Sequence, residues 1–226
     1  AHGIAPALPP FLALLLAFGA LWMVPGWLLL RHLSGIGPVG LLEALPLAFA
    51  LGLSVFVAEA TLAFLLGLSY PRLCDLSALV SLGIALWPAT APIRLRRMTG
   101  GERLILLVAV GCAVLAYDMG GYQPAGNDTW YHIAKLRRMA GMERISETDV
   151  WFRDIAISPS YGYNAWHLGM ATLARLASAD AFTAWCCALP LLVVLQLGAY
   201  YAFAKALFED GPMAFCAAFL FLVFLV

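Results

Sequence analysis

The chain has 226 residues, 63% of them hydrophobic and 12% charged, with a formal net charge of zero and a mean hydropathy of +0.89. A soluble domain is typically about 45–50% apolar and about 25% charged, so this composition excludes an ordinary water-soluble globule and marks an integral membrane protein bathed in membrane lipids. The balanced charge gives no footprint for nucleic acid, so the basic residues are read by position and not by sum.

In chain order, the first apolar segment runs from Pro9 to Leu30. Pro9-Pro10 suits a first helical turn, where a missing N–H costs nothing, and Pro25-Gly26 predicts a kink. Arg31-His32 ends it, and a Gly/Pro turn leads to a second segment, Leu41 to Leu68, which carries Glu59. A carboxylate inside a span is expensive and faces protein or a water-filled cavity, so Glu59 reads either as a functional group or as a hydrogen-bonded link to a neighbouring helix. The third segment, Leu76 to Ile93, is interrupted by Pro88 and Pro92 and followed by the basic cluster Arg94-Leu95-Arg96-Arg97. A fourth covers Leu104 to Tyr117. After a polar insert, apolar character returns over Phe182 to Phe203 and again from Pro212. The five cysteines have no CxxC spacing and sit at or inside apolar segments, which suits small buried hydrophobes.

These runs predict an all-α polytopic transmembrane protein of about six spans, since a span takes about 20 apolar residues. The expected division is residues 1–118 as four spans, 119–180 as an external loop with two amphipathic surface helices, and 181–226 as further spans. The last apolar run is only 15 residues long at Val226, so the chain is expected to belong to something longer. With alternating spans, Arg31, Arg94, Arg96, Arg97, Arg103 and Lys205 share one side, and only Arg72 among short-loop bases lies on the other. The positive-inside rule makes the first side cytoplasmic, so the N-terminus and the insert face outward, to a periplasm or its equivalent.

The insert holds the chemistry-bearing residues. Trp130, Ile133, Ala134 and Ala140 recur at helical spacing as an apolar side, while Asp128, His132 and Lys135 share the opposite face. Trp166, Met170, Leu173 and Ala177 form a second stripe, with His167 and Arg175 off it. Both helices are expected to lie on the outer surface at the water–lipid boundary. Plainer readings stand beside these. Asp128 suits an N-cap, His132 and His167 suit packing positions, the tryptophans suit an interfacial belt, and Lys135 to Arg138 suit a solvated stripe.

The run Asp128-Thr129-Trp130-Tyr131-His132 follows an apolar span and leads, through the Tyr/Pro loop of Ser158-Pro159-Ser160-Tyr161-Gly162-Tyr163, to a second amphipathic helix. From Asp118 to Phe203 this arrangement resembles the first external loop of GT-C-fold membrane glycosyltransferases, the multispan enzymes of the protein mannosyltransferase and aminoarabinose transferase kind that use polyprenyl-phosphate sugars. The resemblance implies inversion at the anomeric carbon, with Asp128 as base toward an acceptor hydroxyl and Tyr131 and His132 orienting base or acceptor. By chemistry alone, Lys135, Arg137, Arg138 and Arg153 suit the donor phosphate, with His167 and Tyr163 as further substrate contacts. No metal-ligand set is fixed. Asp118, Asp149 and Asp154 are the acids open to join Asp128 as a second carboxylate or around a divalent ion, Mg or Mn.

Two other functions fit the sequence. A non-catalytic subunit would bury Trp130, Trp151 and Trp166 against partner membrane subunits. A transporter would place Glu59 in a midplane cavity between broken helices.

Overall fold

The computed structural model describes residues 8–33, 37–88, 93–119, 126–140 and 164–225. Regular structure among them is helical: α1 (Leu8–Phe18), a π-helical turn (Gly19–Met23), α2 (Val24–Leu30), α3 (Leu41–Leu65), α4 (Tyr70–Leu86), α5 (Gly100–Met119), α6 (Gly126–Ala140), α7 (Ala165–Leu176), α8 (Ala181–Phe208) and α9 (Gly211–Leu225). Proline chemistry sets several of these boundaries. Pro25 falls in the first turn of α2, and the wider π turn just before it spans Leu21, the residue whose carbonyl the proline ring would crowd. Pro71 sits in the first turn of α4, which stops just ahead of Pro88, as the residue before a proline avoids the helical region.

Among the described residues, three helical segments are long and apolar enough to cross a membrane: Pro9–Leu30, Leu41–Leu65 and Ala181–Phe208. The expectation of about six spans is corrected on this point. The third expected segment is displaced towards the N-terminus as α4, which includes Arg72 and Asp75 and has only 17 residues. At a rise of about 1.5 Å per residue it covers about 26 Å, short of a hydrocarbon core of about 30 Å. In α5 the apolar run is bracketed by Glu102, Arg103 and Asp118, and α9 has 15 residues.

The spans pack through glycine. A methyl group added at Gly26 would lie 1.7 Å from the Ala48 carbonyl oxygen, and one at Gly52 would lie 1.7 Å from that of Trp22. The backbones of the first two spans therefore touch, the close approach that small residues allow where lipid supplies no hydrophobic drive. Phe18, Trp22, Phe49 and Phe56 fill the seam above, with Trp22 edge-on to the other three rings.

The insert helices depart from expectation. α7 is not a surface helix: His167 through Ala174 are all buried. Its Trp166 stacks on Trp22 with ring centroids 5.7 Å apart, and a methyl at Gly169 would lie 2.6 Å from the Trp22 ring. At its other end Tyr70 donates to Thr172 at 3.1 Å, tying α7 to the start of α4. α6 contributes Leu136 and Met139 to the same core. The two helices thus line the bundle instead of lying on it.

The candidate functional site

Two polar clusters lie at opposite ends of this bundle. At one end, near the start of α3, Arg96 ion-pairs with Glu43 at 3.0 Å and donates to Glu102 Oε2 at 2.7 Å. Lys205, near the end of α8, pairs with Glu43, and Tyr201 donates to Glu102 Oε1 at 3.2 Å. Local sequence builds both acids into place. Glu43 accepts from the Gly40 N–H at 3.0 Å, and Thr99 and Glu102 cap each other in the Thr-x-x-Glu pattern at 2.8 and 3.3 Å. Glu102 is 1% exposed. Arg96 and Lys205, assigned to one side of the membrane by alternation, meet on this shared acid pair.

The other cluster is made by α6, α7 and the start of α8. His132 Nδ1 and His167 Nε2 share a hydrogen bond at 2.7 Å. The His132 ring stacks on Trp185 with centroids 5.5 Å apart, and Tyr131 meets His132 edge-on. Asn164 caps α7 by accepting from the His167 N–H at 3.2 Å, which fixes where that imidazole enters the core. Burial, the Lys135 charge and neighbouring His132 push the His167 pKa down to about 4, so its ring is neutral at ordinary pH. Its Nδ1 is buried without a hydrogen-bond partner among the described residues.

The expected site residues divide as follows. His132 and His167 come together. Lys135 is 2% exposed, so it belongs to the buried side of α6 and not to a solvated stripe; the polar face shared by His132 and Lys135 points into the bundle, and this corrects the expected orientation of α6. Arg138 is half-buried. Arg137 is exposed and grips Asp180 with two hydrogen bonds, 3.0 and 3.1 Å, while Asp180 also caps α8 through the Phe182 N–H. That grip, with the cap, holds the Asp180 carboxyl below its usual range against a smaller opposing effect of burial. Asp128 is the third residue of α6, inside the helix and not its N-cap, where a carboxylate complements the helix dipole; its side chain lies outside the described residues. Arg153, Tyr163, Trp151, Asp149 and Asp154 lie outside them altogether, as does the side chain of Asp118. Glu59 accepts a hydrogen bond from Ser77 of α4 within two turns of the end of α3.

Sequence reasoning missed Trp185 and the whole acid–base network of Glu43, Arg96, Glu102 and Lys205. The Thr99-x-x-Glu102 capping pattern was the one signal that could have flagged part of it. For Mg or Mn, which take hard oxygen ligands, the described part of the histidine cluster offers two imidazoles, one nitrogen of each taken by their mutual hydrogen bond, and no group of three metal-ligating residues occurs among the described residues. No family model matches the chain, and neither a curated protein nor a solved structure matches it.

Proposed function

We propose that this protein is a membrane glycosyltransferase that moves a sugar from a polyprenyl-phosphate donor to an acceptor hydroxyl at the outer face. The observation that carries the reading is the His132–His167 pair with buried Lys135, a polar cluster inside an apolar bundle, standing one to two helical turns along α6 from Asp128. The resemblance of Asp128 to His132 to a GT-C external loop adds the reaction class. In that reaction Asp128 takes the proton of the acceptor hydroxyl, whose oxygen attacks the anomeric carbon. The bond from that carbon to the phosphate oxygen breaks, and polyprenyl phosphate leaves with the electron pair. Such general-base assistance is worth about 10²–10⁴-fold.

Lys135, Arg138 and Arg153 are the cations proposed for the phosphate by their chemistry, while Arg137 pairs with Asp180. The outward placement of this end rests on the basic residues at the other: Arg96 and Lys205 belong to the side that the positive-inside rule assigns to the cytoplasm. Trp166 is used up internally against Trp22, which weighs against its serving a partner subunit. Glu59 is bonded near one end of its helix, which weighs against a midplane transport site.

The test is transfer from radiolabelled polyprenyl-phosphate sugars in membranes carrying this protein. Transfer should be present in the natural protein and fall at least about 100-fold in an equally abundant, folded Asp128→Asn variant. Equal rates would remove Asp128 as the base, and absence of transfer across a broad donor panel would overturn the assignment.

A further inference from the structure

The hydrogen bond between His132 Nδ1 and His167 Nε2 has two arrangements, which differ in what is left over on the neutral His167 ring. If His132 Nδ1–H donates to His167 Nε2, the His167 proton must sit on Nδ1, an N–H buried without a partner among the described residues. If His167 Nε2–H donates to His132 Nδ1, the buried Nδ1 of His167 is a bare lone pair. Orphaned buried N–H groups are rare, under-satisfied acceptors less so. That asymmetry selects the second arrangement.

We infer that His167 is a positioning residue: its Nε2–H holds the His132 ring in the tautomer protonated at Nε2, so that His132 acts as a hydrogen-bond donor and not as a base. The Trp185 stack fixes the plane of the ring and the bond to His167 fixes its proton, two constraints on one side chain. The ligand class for such a donor is an anionic oxygen. On the glycosyltransferase reading, on which this last point rests, it is an oxygen of the donor phosphate or of the base carboxylate. His132 then divides labour with Asp128, which keeps the basic role.

The experiment is ¹⁵N imidazole NMR at neutral pH on histidine-labelled protein in lipid nanodiscs, with the His132 signals assigned by their loss in His132→Phe. In the natural protein, His132 should show a protonated Nε2 and an unprotonated Nδ1. His167→Gln keeps an N–H donor at similar reach and should preserve that pattern, while His167→Phe keeps the ring volume and should give a mixture of tautomers. Sugar transfer should survive in His167→Gln and fall about tenfold in His167→Phe, the scale of one neutral hydrogen bond. A protonated Nδ1 on natural His132, or an unchanged tautomer in His167→Phe, would overturn the inference. Transfer absent from the natural protein would remove the enzymatic reading and leave the tautomer assignment to the spectra, which decide it alone. Should His167→Phe not fold, the natural protein and His167→Gln still carry the test.

Discussion

The two polar clusters solve the cost of polarity inside an apolar bundle in opposite ways. Around Glu102 every ionised group has an ionised partner: Arg96 bridges two acids, Lys205 pairs with Glu43, and backbone N–H groups occupy further lone pairs. Such a network joins the starts of α3 and α5 to the end of α8. Around His132, which stacks on Trp185, the polar groups are two imidazoles and the buried Lys135, and His167 is kept neutral chiefly by burial and left with an unsatisfied nitrogen. A fully paired ionic network suits holding helices together, and an incompletely satisfied cluster suits meeting a ligand.

The largest effect should come from opening the ionic network. Glu102→Ala leaves Arg96 without its buried acid and should cost about 3–5 kcal/mol, read as a fall in thermal stability in detergent. A loss below about 1 kcal/mol would show that the network is not a clamp.

Next in size is the acid response of the histidine cluster. The His167 pKa is about 4 in the folded chain against an ordinary histidine value of 6.5. The unfolded chain therefore binds the extra proton first: stability is full above pH 6.5, declines as pH falls toward 4, and levels off below. The loss from this group is on the order of 3 kcal/mol, visible in melting curves as a function of pH. His167→Phe should remove that part of the pH dependence.

The seam that separates the clusters comes third. Gly52→Val drives a side chain into the Trp22 carbonyl and should cost about 1–3 kcal/mol or more. The same change at Gly19, where an added methyl meets nothing within 4 Å, should cost markedly less.

The smallest effect belongs to Arg137 and Asp180, whose side chains are 63% and 48% exposed. A double-mutant cycle should give a coupling of about 0.2–1 kcal/mol, falling further with salt.

Much of the helical framework was legible because it depends on local patterns. Pro9 to Leu30 and the start at Leu41 follow from apolar runs, and the end of α4 from Pro88. The burial of α7 was not legible. His167, Thr172 and Arg175 make that helix read as amphipathic, yet His167 finds His132, Thr172 finds Tyr70, and Arg175 lies 5.2 Å over the Tyr70 ring. A polar residue whose partner is distant in sequence looks like a surface residue until the partner is seen. Glu43, Arg96, Glu102 and Lys205 were obscured for the same reason, since alternation placed the bases on one side without showing which acids join them. The reverse holds for Lys135-Leu136-Arg137-Arg138, one basic run in sequence that folding splits between core and surface.

The most direct test of the division between the clusters measures sugar transfer and melting temperature together in Asp128→Asn and Glu102→Ala. Asp128→Asn should abolish transfer at an unchanged melting temperature. Glu102→Ala should lower the melting temperature while the folded fraction still transfers sugar. Transfer undiminished in folded Asp128→Asn would contradict that division.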